Sequence, residues 1–309
     1  MSTCCGLMFA GQGAQFPGMG KDLADASPAA RNVFVEADRI LDRPISSLCF
    51  EGPEAELTKS ANCQPAIYTM SLACLEAMLE KLDLDIVVSG GLSLGEFAAL
   101  TTAGALPFAD GLKLVSERGR LMDDACRRTE GGMAALLNAD PALVESVTEQ
   151  FDIDVANYNC PGQIVVSGAR ERVEQAVEEL RRRGVKRAVM LQVDGAFHSR
   201  LMKPAEVKFA PLLDHFNLVA PTRGTVVQNV TGKPVDTPDE IRLNLERQIC
   251  GSVHWESCVR TMIGSGIDAL IEVGPGQVLT GFMRRIDRKF PVYNVGSADD
   301  LEKVAEELS

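Results

Sequence analysis

The apolar residues of the chain follow two alternating patterns. Short continuous apolar runs bounded by glycine and charged residues are typical of buried strands, whereas apolar residues three and four positions apart indicate helices. Such strands are predicted at 5–10, 85–89, 225–230 and 269–273, and helices at 65–79, 96–103, 108–126, 199–216, 238–250 and 255–264. The repeated order of strand, sharp turn and helix predicts an α/β fold with a largely parallel sheet.

The middle of the chain has a different pattern. Strands are predicted at 131–137, 153–157, 163–167 and 185–193, helices at 141–150 and 169–183, and a turn rich in breaker residues at 158–162. The order βαββαβ is that of the ferredoxin-like unit. We therefore predict a small ferredoxin-like domain at 129–194, inserted into a large α/β catalytic domain formed by residues 1–128 and 195–309.

Composition excludes several classes of protein. Hydrophobic residues make up 46% and charged residues 24% of the 309 residues, as in ordinary globular proteins. The net charge of −12 is unfavourable for binding nucleic acid or an anionic membrane. The apolar runs are too short for a transmembrane helix, and no Lys or Arg precedes the first apolar stretch as in a signal peptide.

The nine cysteines indicate a reducing compartment. Their number is odd and no C-x-x-C pair occurs, so the sequence predicts neither a disulfide framework nor a zinc site. Small and apolar neighbours favour buried, unreactive thiols. We therefore expect a cytoplasmic enzyme without a bound metal.

A G-x-S-x-G motif at 91–95 lies between a predicted strand and a predicted helix. In this context the glycines relieve crowding in a sharp turn that exposes the Ser93 hydroxyl above the strand ends. The first N–H groups of the helix would point at negative charge that forms beside it. The pattern predicts that Ser93 is a nucleophile; the alternative is a glycine-rich turn with an unreactive serine.

A serine nucleophile needs a base, and the chain has three histidines. His198 follows a predicted strand and leads into a helix, where α/β folds collect catalytic groups, whereas His215 and His254 have the surroundings of structural residues. No third, acidic member is evident, because the carboxylates between Ser93 and His198 have no distinctive context: Asp110, Asp123, Asp124 and Asp194. A backbone carbonyl can orient an imidazole as well as a carboxylate does, so a Ser–His dyad is adequate.

Two glycine pairs invite comparison with nucleotide-binding loops. In G-x-G-x-x-G, the third glycine after Gly11 and Gly13 would fall at Phe16, and after Gly274 and Gly276 at Leu279. No G-x-x-x-x-G-K-[ST] occurs either, so no dinucleotide or P-loop site is predicted.

Together these motifs resemble the malonyl-CoA:acyl carrier protein transacylases, acyltransferases of fatty acid and polyketide synthesis. The resemblance extends over nearly the whole chain. It includes GQGAQ at 11–15, GLSLGE at 91–96, ERGRLM around Arg118, ANYNCPGQIVVSG at 156–168, GAFHSRLMKP at 195–204, QNVTG at 228–232, Gln248 ahead of VHW, and EVGPGQVLTG at 272–281.

The resemblance implies an α/β-hydrolase-like core with an inserted ferredoxin-like domain, and a role for each matched residue. Ser93 would be the nucleophile and His198 its general base. The N–H groups of Gln12 and Leu94 would form the oxyanion hole, and Arg118 would bind the malonyl carboxylate. The main-chain carbonyl of Gln248 would orient His198, and Asn159 and Phe197 would be further pocket residues. One departure is Leu92, where the family usually has histidine.

The resemblance also implies the reaction. A malonyl group would pass from malonyl-CoA to the phosphopantetheine thiol of acyl carrier protein through a malonyl-serine intermediate, supplying fatty acid synthesis. A monomer without a cofactor is expected. Two alternatives stay open at this point: a serine esterase or thioesterase that uses the same dyad, and a non-catalytic module of a larger synthase.

Overall fold

A computed structural model describes residues 3–193 and 195–308. The strands within these residues are β1 (Thr3–Phe9), β2 (Leu84–Gly91), β3 (Gly131–Leu137), β4 (Asp154–Cys160), β5 (Gln163–Ala169), β6 (Arg187–Met190), β7 (Thr225–Gln228), β8 (Lys233–Val235), β9 (Ala269–Val273) and β10 (Val292–Val295). The helices are α1 (Lys21–Ala26), α2 (Pro28–Leu41), α3 (Ile45–Glu51), α4 (Glu54–Leu57), α5 (Ser60–Lys81), α6 (Gly95–Thr102), α7 (Phe108–Cys126), α8 (Pro141–Gln150), α9 (Arg170–Arg182), α10 (Lys203–Leu213), α11 (Pro238–Gln248), α12 (Trp255–Ile263), α13 (Val278–Ile286) and α14 (Ala298–Leu308).

One sheet has six strands in the order β10-β9-β1-β2-β7-β8, and all pairs are parallel except β7 with β8. Adjacent residues of its strands belong to different cores: Leu7, Val226 and Ile271 pack on one face, and Met8, Val227 and Leu270 on the other. Both faces are therefore covered, which explains why these strands have continuous apolar sequences. The predicted α/β fold with a largely parallel sheet is confirmed.

The second sheet is antiparallel, with the order β4-β5-β3-β6. Helices α8 and α9 pack on it around a separate core that includes Val144, Val166 and Val177. The predicted order βαββαβ is confirmed, while the boundaries of a small domain at 129–194 stay a prediction. Two of the predicted strands need correction. The strand predicted at 153–157 continues to Cys160, so that only Pro161 and Gly162 form the turn, and the strand predicted at 185–193 is limited to Arg187–Met190.

The helix predicted at 199–216 is also shorter than expected. A 3₁₀ turn covers Arg200–Met202, and α10 ends at Leu213, so the exposed His215 lies beyond the helix. Conversely, α5 extends through Pro65 to a start at Ser60. Proline cannot donate to the carbonyl of Ala61, but the Arg43 guanidinium donates to that oxygen at 2.9 Å and offsets the loss.

Across residues 3–193 and 195–308, no helix has both the length and the apolar character that crossing a bilayer requires.

Candidate active site

Ser93 lies in the turn between β2 and α6, with φ at 51°. Both flanking glycines are required by close backbone contacts. A Cβ atom on Gly91 would lie 2.0 Å from the carbonyl carbon of Gly95, and one on Gly95 would lie 2.2 Å from the carbonyl oxygen of Phe9. The G-x-S-x-G spacing thus allows a sharp, strained turn that presents the hydroxyl at the carboxyl edge of the parallel sheet.

His198 is 5% exposed and lies against this turn. Its Nε2 is 2.8 Å from the Oγ of Ser93, and its Nδ1 is 2.7 Å from the main-chain oxygen of Gln248. A carbonyl can only accept, so Nδ1 carries the proton and Nε2 is left to accept one from Ser93. Burial, with a further contribution from the Arg118 charge, lowers the pKa of His198 to about 4, so the imidazole is neutral at physiological pH.

Two of the four carboxylates considered as orienting groups contact other residues. Asp123 accepts hydrogen bonds from the N–H groups of Ser60 and Ala61, and Asp124 pairs with Arg120 and Arg127. No hydrogen bond joins Asp110 to His198, and Asp194 lies outside the described residues.

The other two histidines lie elsewhere. His254 is half-buried and stacks on Tyr158, with ring centroids 5.2 Å apart, and His215 is exposed. Among the histidines, the structure therefore brings only His198 to Ser93, with the carbonyl of Gln248 as its partner.

Arg118, on α7, is 1% exposed and directed at Ser93. Its Nη2 donates to the Ser93 Oγ at 3.1 Å and to the Gln248 Oε1 at 2.9 Å, and its Nη1 donates to the Gln64 Oε1 at 2.8 Å. Its Nε has no partner among the described residues. Burial lowers the pKa of Arg118 to about 10, which still leaves it charged near neutral pH.

This guanidinium is therefore held by amide oxygens, and no carboxylate of the described chain forms a direct ion pair with it. The charge of the buried Glu96 raises the pKa of Arg118 but forms no salt bridge with it, so an anionic ligand beside Ser93 would supply the direct partner that the buried guanidinium lacks. Gln64 was not predicted from the sequence, since a glutamine on an apolar helix carries no recognisable motif.

Gln248 connects three parts of the site. Its main-chain oxygen binds His198, its Oε1 accepts from Arg118, and its Nε2 donates to the main-chain oxygen of Ser93 at 3.0 Å. The sequence resemblance indicated only the first contact, because a side-chain role depends on the end of α11 lying against the serine turn.

The loop after β1 lies against the serine turn, because β1 and β2 pair with Phe9 opposite Gly91. A Cβ on Gly11 would lie 2.6 Å from the Leu92 carbonyl oxygen, so glycine permits the close approach. The Gln12 amide donates to the Oγ of Ser60 at 3.2 Å, and Leu94 is buried. No described residue accepts a hydrogen bond from the backbone N–H of Gln12 or Leu94.

The two further pocket candidates have different surroundings. Asn159 is 6% exposed, and its Oδ1 has no partner in the part of the chain that the structure describes. Phe197 is half-buried and packs against apolar residues of both the large core and the antiparallel sheet. Neither residue has a hydrogen bond to Ser93 or His198.

Two residues that hold the serine turn, Asn229 and Glu96, were not predicted as site residues. Asn229 contacts the backbone on both sides of Leu92, immediately before the nucleophile, and Glu96 accepts a hydrogen bond from the N–H of Asn229. Both lie within motifs that carry the resemblance, QNVTG and GLSLGE, so the sequence marked these positions but did not indicate that they support the serine turn.

The chain is similar to known acyltransferases over nearly its whole length. Residues 7–295 match the family described as the acyl transferase domain. The malonyl CoA-acyl carrier protein transacylase of Bacillus subtilis (strain 168) is 39% identical over 307 residues, which cover 98% of this chain and 96% of that protein. The acyl-carrier-protein-S-malonyltransferase structure from Bartonella henselae has a TM-score of 0.94 and 38% identity, with 99% of each chain covered.

A third relative is a malonyl-transacylase that was solved in complex with its type II PKS acyl-carrier protein. It has a TM-score of 0.95 and 34% identity, with 99% of this chain and 100% of that chain covered. Similarity of this extent includes every element that positions the site. The chain is therefore an acyltransferase that belongs to the malonyl CoA-acyl carrier protein transacylase family.

Proposed function

We propose that this protein transfers a malonyl group from malonyl-CoA to the phosphopantetheine thiol of acyl carrier protein through a malonyl-serine intermediate. The observation that carries the proposal is the buried Arg118, whose guanidinium lies 3.1 Å from the Ser93 Oγ without a carboxylate partner. A guanidinium can bind a carboxylate with two parallel, charge-assisted hydrogen bonds. Malonyl thioesters carry such a carboxylate one carbon away from the reacting carbonyl.

In the first half-reaction, Nε2 of His198 takes the Ser93 proton as the Oγ attacks the thioester carbonyl. The tetrahedral oxyanion would accept hydrogen bonds from the free N–H groups of Gln12 and Leu94. Collapse of this intermediate breaks the carbon–sulfur bond, and the coenzyme A thiolate takes the proton from His198. The malonyl group is then an ester of Ser93.

The second half-reaction reverses these steps. His198 removes the proton of the phosphopantetheine thiol, whose sulfur attacks the malonyl ester. Collapse returns the proton to the Ser93 Oγ and leaves malonyl-acyl carrier protein. The thioester is already activated and each step is an acyl or proton transfer, so we propose that no metal or redox cofactor takes part. The product would supply fatty acid synthesis.

The fold supports two finer assignments. The antiparallel sheet has the strand order expected of a ferredoxin-like unit, and it follows the order βαββαβ along the chain. We infer a ferredoxin-like domain at 129–194 and an α/β-hydrolase-like catalytic domain from the remaining residues, with the serine turn after a central strand of the parallel sheet.

A serine thioesterase would use the same dyad but would release malonate to water. Hydrolysis does not require a buried guanidinium beside the nucleophile, so Arg118 favours the transferase. A non-catalytic module would not require the 2.8 Å contact between Ser93 and His198.

The test is the intact mass of the protein after mixing with malonyl-CoA. We expect one malonyl adduct on the wild type, none on Ser93→Ala, and discharge of the adduct when acyl carrier protein bearing phosphopantetheine is added. Loss of Ser93 should lower turnover by roughly 10³-fold or more, because the residues of such a site act as a unit. A missing adduct would refute the covalent mechanism, and hydrolysis without carrier protein as fast as transfer would support a thioesterase.

A further inference from the structure

Asn229 holds the backbone of the serine turn on both sides of Leu92, the residue before the nucleophile. Its Oδ1 accepts a hydrogen bond from the Ser93 N–H at 2.6 Å, and its Nδ2 donates to the Gly91 main-chain oxygen at 2.8 Å. Asn229 follows the end of β7, which pairs with β2 in parallel, and it is fully buried. One amide therefore fixes the peptide groups immediately before and after Leu92.

Glu96 in turn fixes Asn229. One oxygen of its carboxyl group accepts from the Asn229 N–H at 2.6 Å, and the other accepts from the Gln228 amide at 2.9 Å. The Glu96 N–H also donates to the Ser93 main-chain oxygen at 3.2 Å. Ser93, Asn229 and Glu96 thus form a closed set of hydrogen bonds, in which Asn229 and Glu96 are fully buried.

The backbone of Ser93 needs such support. A non-glycine residue with φ at 51° is strained, and such a conformation persists only where the surrounding structure fixes it. Without Asn229, the Ser93 N–H and the Gly91 carbonyl would be left unpaired in the interior, and the turn could relax toward ordinary φ values. Such relaxation would move the Oγ away from Nε2 of His198.

We propose that Asn229 is a positioning residue that holds Ser93 in its left-handed conformation, and that Glu96 fixes Asn229 for this purpose. The proposal rests on the proposed function of Ser93 as the nucleophile. It also accounts for the oxyanion hole: Asn229 occupies the N–H of Ser93 itself, which leaves the N–H groups of Gln12 and Leu94 for the oxyanion.

The test compares Asn229→Ala and Asn229→Asp with a matched control, Ser89→Ala. Ser89 is also buried on β2 and donates to the Ala99 carbonyl of α6 at 3.2 Å, so its loss removes a hydrogen bond between the same two elements without touching the turn. Two rates are measured by intact mass: modification of Ser93 by malonyl-CoA, and by a fluorophosphonate ester that reacts with activated serines. Thermal unfolding reports the folded fraction of each variant.

We expect Asn229→Ala to slow both reactions by roughly 100-fold, with a change in the KM for malonyl-CoA of less than about threefold, because Arg118 and its amide partners do not contact Asn229. Asn229→Asp keeps an acceptor for the Ser93 N–H, so it should regain roughly tenfold of the lost rate. Ser89→Ala should react at the wild-type rate.

A folded Asn229→Ala that reacts like the wild type would overturn the proposal. The proposal would also be overturned if the reaction rates of Asn229→Ala and Ser89→Ala both fell only in proportion to the folded fraction of each variant. If Asn229→Ala does not fold, the aspartate variant and Glu96→Gln decide, and full activity in both would also overturn it. Wild-type protein that reacts with the fluorophosphonate but not with malonyl-CoA would refute the proposed function alone, since the fluorophosphonate rates would still test Asn229.

Discussion

The Oγ of Ser93 lies 2.8 Å from the Nε2 of His198, and both residues have left-handed backbones, with φ at 51° and 55°. Each strained residue has local support. Asn229 binds the backbone at Ser93, and next to His198 the buried Ser199 hydroxyl donates to the Ala196 carbonyl at 2.6 Å. Strain of this kind persists only where the surroundings fix it, so both members of the dyad are held in place before substrate binds.

The low pKa of His198 predicts activity in mildly acidic solution. Its neutral form is the base, so the rate of Ser93 acylation should stay constant down to about pH 5 and fall as the pH drops through about 4. The measurement is single-turnover acylation by malonyl-CoA after short pH jumps. A rate that is half lost near pH 6.5, the ordinary value for histidine, would show that burial does not hold the imidazole neutral.

Glu96 and His198 should have opposite effects on stability as the pH falls. Burial raises the pKa of Glu96 to about 7, so between pH 7 and 4.5 the folded protein binds a proton that the unfolded chain lacks, and folding becomes more favourable as the pH falls. For His198, between pH 6.5 and 4, the unfolded chain binds the extra proton, and folding becomes less favourable.

Glu96→Gln removes only the first of these effects. The free energy of unfolding of Glu96→Gln minus that of the wild type should therefore be about 2–3 kcal/mol lower at pH 5 than at pH 8. Urea unfolding at the two pH values measures the difference. A gap between wild type and variant that is the same at both would mean that Glu96 stays ionised in the folded protein.

The glycines of the serine turn allow a stability prediction with an internal control. Gly95→Ala places a Cβ 2.2 Å from the Phe9 carbonyl oxygen, so the backbone must shift, and we expect a loss of about 1–3 kcal/mol or more. Gly281, on the exposed side of α13, has no atom within 4 Å of its Cβ position. Gly281→Ala should stabilise the protein by up to about 1 kcal/mol. Equal thermal shifts in the two variants would contradict this account.

The sequence predicted the central strands well for a physical reason. Strands buried on both faces are largely apolar, as in β9, where Glu272 is the one polar residue, and α7 begins and ends at the predicted residues 108 and 126. The elements between 16 and 64 received no prediction. Helices α1, α3 and α4 have seven residues or fewer, which leaves little periodic signal, whereas α2 is amphipathic, with Ala30, Phe34 and Ala37 buried at helical spacing, and could have been predicted.

The candidate site shows the same division. Ser93 and His198 could be found from local context, because a strained turn and a strand end have recognisable sequences. The contacts of Gln64, Asn229 and the Gln248 side chain join residues more than 50 positions apart, so they depend on how the helices and strands pack.

The surface for the carrier protein is predicted to be basic, since carrier proteins of this family are expected to be acidic and this chain has a net charge of −12. The sequence contains two clusters of basic residues that we consider as docking sites. In the first (Arg181, Arg182, Arg183, Lys186 and Arg187), Arg182 and Arg183 both pair with Glu179. The second (Arg284, Arg285, Arg288 and Lys289) is exposed and forms no ion pair with a described residue.

The second cluster is the better candidate, because none of its four charges is in an ion pair with a described residue, whereas two of the five charges of the first cluster pair with Glu179. The double variant Arg284→Glu/Arg288→Glu should raise the KM for carrier protein by roughly tenfold or more and leave acylation by malonyl-CoA unchanged. Arg182→Glu is the matched control in the first cluster and should have little effect. If neither variant changes the KM, the docking surface lies elsewhere.

Arg118 should determine which acyl group is accepted. Its guanidinium is buried, fixed by Gln64 and Gln248, and 3.1 Å from the nucleophile, and its Nε is unpaired. Malonyl and acetyl thioesters differ by one carboxylate, which a planar guanidinium binds with two hydrogen bonds. Removing one partner of a desolvated charge pair costs about 2–5 kcal/mol, so Arg118→Ala should lower kcat/KM for malonyl-CoA by roughly 30- to 5,000-fold.

Acetyl-CoA has no carboxylate to lose, so Arg118→Ala should use it as well as the wild type does, or better, since a buried unpaired cation has been removed. Arg118→Lys should restore malonyl transfer poorly, because an ammonium group offers a point charge instead of two aligned donors. Arg120→Ala, an exposed arginine on the same helix that pairs with Glu117 and Asp124, is the control and should change neither substrate. The measurement is kcat/KM for both thioesters in all four proteins. An equal fall for malonyl-CoA and acetyl-CoA in Arg118→Ala would show that Arg118 supports the fold of the site and does not select the substrate.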